Sequence, residues 1–289
     1  MGGFSALVNS DNARGIAYIL CASLCAVISS ALTKQLSQDF SAYQISIVRA
    51  FITLTCILPF MIRDRFHGLW PRRLKLMTLR SFNAGVIILL NVYAVGHMPL
   101  VDFTAITFTT PLFVIVLSVI ILRQTPHLNR SIATLVGFVG VLLMVRPTGN
   151  LSPALIAAFG GAFCLGLGVM FIRLLAGQES QVRLLLWSNV ILAAVLALPA
   201  MMTWTEPSPL QALLLIGAGL AGTLTQSFVL LGYTKGDPTV IAPFDYSRIL
   251  LAVAIGAIAF AEIPDGFTFF GAALLIGTGL YMARFARQS

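Results

Sequence analysis

The stretch Ala242–Asp265, APFDYSRILLAVAIGAIAFAEIPD, decides how the chain is read. From Ile249 to Ala261 it carries no charge, yet Asp245 and Arg248 stand three residues apart at its head. A soluble helix this apolar would need a core covering it on every side, and the rest of the chain offers no such cover. Of 289 residues 58% are hydrophobic and 10% charged, and the mean hydropathy is +0.94; soluble domains carry about 25% charged residues. The solvent is therefore lipid, and the sequence is that of an integral membrane protein.

A helix needs roughly 20 apolar residues to cross a hydrocarbon layer about 30 Å thick. Ten runs approach that length: 15–33, 43–62, 78–97, 101–122, 131–146, 153–175, 182–203, 210–233, 238–260 and 266–284. Short breaks such as SQDFS (37–41), TKGDP (234–238) and EIPDG (262–266) separate them, which makes neighbouring spans antiparallel and leaves no room for a soluble domain. The expected fold class is an all-α membrane protein of ten transmembrane helices. With the N-terminus inside, fourteen of the eighteen Lys and Arg fall on the inner side, Lys34 and Arg146 lie outside, and Arg49 and Arg248 lie within spans. Cytoplasmic loops carry this excess, so both termini are expected in the cytoplasm and the chain in the cytoplasmic (inner) membrane. The same placement accounts for the net charge of +8 without a nucleic-acid partner. Small residues in CASLCAVISSA (21–31) also suit a cleaved leader. Removing it would leave nine spans and spoil the charge pattern, so an uncleaved first helix is preferred. Cys21, Cys25, Cys56 and Cys164 all lie in apolar runs without histidine neighbours, which supports neither a disulfide framework nor a zinc site.

The two halves resemble each other. Each has a glycine closing one helix (Gly96, Gly232), a linker aspartate (Asp102, Asp237) and a long helix broken early by proline (Pro111, Pro243). A polar residue plus proline follows (Gln124/Pro126, Glu262/Pro264), before a glycine-bearing last helix. Five is odd, so a second five-helix copy enters the membrane upside down, giving inverted repeats at 15–147 and 153–286. Such repeats are the architecture of alternating-access carriers, with the site at the repeat interface near mid-membrane; the competing reading is chance likeness among apolar helices. Small pairs four residues apart, Ala162/Gly166, Cys164/Gly168 and Ala218/Gly222, allow close helix approach.

Charges at depth are the functional signal. Arg49 lies about 10 Å below one boundary, Asp245 about 10 Å and Arg248 about 15 Å from the other. An arginine facing lipid there costs on the order of 3 kcal/mol, so these groups face the bundle interior or a wet cavity. Asp245 and Arg248 share a helix face at i, i+3, and Ser46, Arg49, Thr53 and Cys56 form a stripe on the second helix. Thr104, Thr107 and Thr110 line a face beside Pro111, whose missing N–H frees a carbonyl. Two readings of the pair stand together: an ion pair that holds helices, or a substrate site in which Arg248, alone or with Arg49, forks onto a carboxylate or phosphate while Asp245 meets a cation. Asp245 is also a candidate proton-coupling group. Tyr93, Trp187, Phe244 and Tyr246 are candidates to stack on an organic substrate, against the plain alternative of packing. Asn83, Asn91, Asn189 and Gln226 serve as interhelical hydrogen bonders or cavity lining, and Trp70 and Trp204 as interfacial anchors. Phosphate-loop, GxSxG, HExxH and CxxC motifs are absent from the sequence, so neither ATP use nor hydrolysis has a motif behind it.

These residues resemble the EamA family of the drug/metabolite transporter superfamily over about residues 14–286. APFDYSRILLAVAIGAIAFAEIPD matches the family's ninth helix, with Ala261 where glycine is usual before the acid Glu262. Leu122-Arg123-Gln124 lacks that acid in the first half, and Lys34 and Arg49 also fit the pattern. The resemblance implies a secondary transporter for a small organic metabolite and leaves Arg49, Asp245, Tyr246 and Arg248 as cavity candidates. An amino-acid-derived zwitterion or anion is the first expectation, with export favoured. Import of S-adenosylmethionine or a flavin is the alternative, and a membrane-embedded enzyme or lipid flippase the reading from another class. Expected partners are the substrate, membrane lipid and a proton or counter-substrate; no cofactor or metal is expected, and the chain is a monomer or homodimer.

Overall fold

The computed structural model describes residues 10–63, 70–123, 128–145, 152–175, 180–235, 241–262 and 265–285. They form α1 (Ser10–Leu36), α2 (Ala42–Arg63), α3 (Leu74–His97), α4a (Leu100–Thr107), α4b (Thr110–Leu122), α5 (Leu128–Val145), α6 (Pro153–Leu175), α7 (Gln181–Met202), α8 (Pro209–Lys235), α9 (Ser247–Phe260) and α10 (Gly266–Phe285). Taking α4a and α4b together, the described residues hold ten helices and no strand. Seven of these spans are long and apolar enough to cross a membrane, and α5 and α10 contain shorter apolar stretches. The fourteen residues of α9 are extended at their head by a 3-10 turn, Ala242–Tyr246. Asp237, Gln124, Pro126 and Pro264, which figure in the likeness between the halves, lie outside the described residues.

Two helices are broken where proline predicts it. Pro111 has no N–H for the Thr107 carbonyl four residues back, and α4 parts at Phe108–Thr109. Threonine hydroxyls take over the carbonyls around the gap: Thr107 Oγ1 donates to Thr104 O at 2.6 Å, Thr109 Oγ1 to Ile106 O at 2.7 Å and Thr110 Oγ1 to Thr107 O at 2.7 Å. This explains the run of threonines here: short hydroxyl side chains reach neighbouring backbone acceptors. In the ninth span Pro243 sits in the first turn of the 3-10 segment, where a missing N–H costs nothing. Both broken spans end on a left-handed residue, Arg123 and Ala261, each with φ 53°.

Apolar side chains such as Leu198 (70% exposed) and Ile258 (86%) point outward, the pattern of a lipid-facing surface. Inside, α1 packs on α8, α3 on α6, α2 on α7 and α5 on α10; α3 also meets α7, α8 meets α2, α4b meets α6 and α9 meets α1. The largest core cluster gathers Val27, Ala94, Leu100, Ile106, Ala158 and Ile249 from five helices and marks the centre of the bundle. Glycines set the closest approaches. A Cβ on Gly271 of α10 would lie 2.5 Å from the Gly140 carbonyl of α5, and one on Gly166 of α6 would lie 3.0 Å from Phe113 of α4b.

Candidate functional site

The 3-10 turn at the head of α9 swings Asp245 and Tyr246 out beside Arg248 in the first turn of the helix. Arg248 Nη2 donates to Asp245 Oδ1 at 2.7 Å, and Ser23 Oγ of α1 donates to the same oxygen at 3.1 Å. The two charged side chains are 24% and 30% exposed, neither sealed in the core nor free on the surface. Phe108, at the break in α4, stacks on Tyr246 with centroids 4.9 Å apart and planes at 15°. The Arg248 guanidinium carbon lies 5.9 Å from the Phe108 ring centre, within cation–π range. Arg248 Nε and Ser247 Oγ are buried without a partner, and the Tyr233 phenol of α8 lies within electrostatic reach of Asp245 and Arg248. A carboxylate, a guanidinium and a ring pair thus meet where α1, α4 and α9 converge. That set suits a molecule with ionic groups and a flat body.

Arg49 forms a second station. Its Nη1 donates to Thr33 Oγ1 of α1 at 3.3 Å, and its guanidinium crosses Gly222 of α8, where a Cβ would come within 2.8 Å of Nη2. Beside it Thr53 and Thr223 share a hydroxyl hydrogen bond of 2.9 Å. Among the described residues no carboxylate lies within ion-pair distance of Arg49. Ser23 and Thr33, which mark the two stations on α1, are ten residues apart, about 15 Å of helix rise. α1 thus meets the Asp245–Arg248 pair at Ser23 and Arg49 at Thr33, two levels of one helix. Depth counted along each helix located the charges but not their neighbours: Ser23 for Asp245 and Thr33 for Arg49.

Of the other candidates, Thr107 adjoins the first station, and Tyr93 packs against the same central cluster as Phe108 and Tyr246. Thr107 directly precedes Phe108, with its hydroxyl proton engaged on the Thr104 carbonyl. Tyr93 stacks on His97 at 4.4 Å near the end of α3. Trp187 stands 5.7 Å from Trp70 and packs on Met77, Leu175 and Leu184. Asn83 Nδ2 donates to Cys164 O at 2.9 Å, an interhelical bond, whereas Asn189 Nδ2 donates back to its own helix at Leu185 O, 2.8 Å away. Ser23, Phe108 and Tyr233 were not singled out from the sequence. A lone serine or phenylalanine in an apolar run has no local mark, and what distinguishes these is contact across the chain. Phe108's place three residues before Pro111 was the one available sign.

The described residues form an all-helical, lipid-facing bundle with opposed charges held among its helices, which defines a polytopic membrane protein. The EamA-like transporter family matches residues 13–146 and again 152–284, and the chain belongs to that family. It is a transporter, not an enzyme, and a multi-pass protein of the inner membrane. The S-adenosylmethionine uptake transporter of Rickettsia prowazekii is 25% identical over 277 residues, 96% of this chain and 94% of that protein. The riboflavin transporter of Vibrio cholerae is 26% identical over 272 residues, 91% and 90% of the two chains. The pseudopaline exporter CntI of Pseudomonas aeruginosa is 24% identical over 279 residues, 93% and 96%. A solved crystal structure superposes with a TM-score of 0.64 at 16% identity, covering 96% of this chain and 98% of its own, a likeness of fold alone.

Proposed function

We propose that the protein is a secondary carrier that moves a small amino-acid-derived metabolite by rocking two inverted repeats, 15–147 and 153–286, around the Asp245–Arg248 station, with both termini in the cytoplasm. The observation that carries the reading is the partly exposed ion pair at the head of α9, met by Ser23 from α1 and Phe108 from α4. A pair serving packing alone has no reason to keep a quarter of its surface open. The packing scheme supports the repeats: adding five to each helix number turns α3 on α6 into α8 on α1, α3 on α7 into α8 on α2, and α4b on α6 into α9 on α1.

In this reading Asp245 receives the amine or another cationic group, Arg248 a carboxylate, and Phe108 with Tyr246 the flat part of the molecule. Arg49 serves as a separate anion station on the same route. S-adenosylmethionine joins an amino acid to a heteroaromatic base and matches that set, so it is the first compound to test. A flavin is the second reading, favoured by the Phe108–Tyr246 stack. Direction, whether export or import, and coupling to a proton or a counter-substrate are decided by flux. The test is transport of labelled S-adenosylmethionine and riboflavin in cells and proteoliposomes carrying the wild type, Arg248→Ala or Asp245→Asn at equal membrane levels. Loss of flux in both variants is expected, and unchanged flux in both removes the site.

A further inference from the structure

On the carrier reading above, we propose that Lys34 and Glu262 form a one-sided latch that keeps the bundle shut at the Lys34 end. Lys34 lies in the last turn of α1 and Glu262 two residues past α9. Their side chains form an ion pair and are 14% and 17% exposed. Lys34 Nζ also donates to the Met98 carbonyl at 2.8 Å and lies 5.1 Å from the Phe260 ring centre. The second carboxylate oxygen of Glu262 accepts the Leu100 N–H at 2.8 Å. Two side chains therefore tie together the end of α1, the corner between α3 and α4a, and the end of α9. Each charge also meets a favourable helix end: a cation at the C-terminus of α1, a carboxylate at the first N–H of α4a.

The chain past α9 is shaped to deliver this carboxylate. Ala261 takes the left-handed conformation, and the Glu262 N–H closes on the Gly256 carbonyl at 3.0 Å. A Cβ on Gly256 would lie 3.0 Å from Glu262 Oε2, so glycine leaves the room the acid occupies. The pair crosses between the proposed halves, with α1, α3 and α4a on one side and α9 on the other, and this end cannot open without parting it. The position corresponding to Glu262 in the first half is Gln124, which has no charge to offer a cation. An ion pair of the Lys34–Glu262 kind cannot form on that amide, and the resting population is weighted towards the form closed at Lys34.

Thiol labelling of the purified full-length protein in detergent tests this without any substrate, so the latch and the carrier reading fail separately. In a cysteine-free background, Val101→Cys places a thiol under the latch at a residue 4% exposed, and Leu192→Cys supplies a remote buried control on α7 at 2%. Glu262→Gln and Lys34→Met are each expected to speed maleimide labelling at Val101→Cys on the order of tenfold, the scale of one hydrogen bond to a charge. The control should stay unchanged, and the double variant should label no faster than either single, as one shared interaction requires. Glu262→Asp should fall in between. Unchanged labelling in both singles, additive effects in the double, or an equal rise at the control would each overturn the latch.

Discussion

Arg49 has little local compensation: a guanidinium deep in the bundle whose described hydrogen-bond partner is a single threonine hydroxyl. Arg49→Gln removes the charge and is expected to cut flux at least tenfold while leaving membrane levels unchanged. Arg49→Lys, which keeps the charge but loses the planar fork, should recover part of it. Equal flux in wild type and Arg49→Gln would dismiss the second station. A different residue carries strain. An L-residue in the left-handed region costs roughly 1–2 kcal/mol, and Ala261 is such a residue. Ala261→Gly is expected to raise thermal stability by about 1 kcal/mol, read as the unfolding midpoint of the purified protein. A lowered midpoint would remove the strain argument. Both residues were visible in the sequence, Arg49 as a charge in an apolar run and Ala261 as a departure from the family's glycine. Neither their surroundings nor the roughly 15 Å between the arginine stations was visible, because contact between distant segments leaves no periodic trace.

At the scale of elements, two glycines separate packing from positioning. Gly271 faces backbone, with the Gly140 carbonyl 2.5 Å from where its Cβ would stand. Gly271→Ala must push α10 off α5, at roughly 1–3 kcal/mol, and should lower the unfolding midpoint and the amount of protein recovered. Gly222 faces the movable tip of Arg49, so Gly222→Ala is expected to fold nearly as well as wild type but transport poorly, since the guanidinium must swing aside. Equal unfolding midpoints for the two variants would contradict the distinction. Helix existence was largely legible, since long apolar runs have few alternatives, and the prolines foretold both breaks. Less legible was what the threonines of α4 do. Three hydroxyls, those of Thr107, Thr109 and Thr110, donate to carbonyls at the gap. Trp187's contact with Trp70 was equally illegible; aromatic residues in apolar runs look alike until their neighbours are known.

For the whole molecule, the charge distribution and the five-step shift in packing partners make one topological statement. Reporters fused at the N- and C-termini should give the same cytoplasmic signal, and one inserted at residues 147–152 the opposite signal. Termini on opposite faces would break the inverted-repeat reading and with it the rocking mechanism. The break in α4 and the turn that opens α9 touch each other through Phe108 and Tyr246. Two joints in facial contact cannot flex out of step: bending one drags its counterpart or peels the rings apart. Cargo wedged between those rings would thus act on both hinges together, making its arrival a mechanical cue for the turnover stroke.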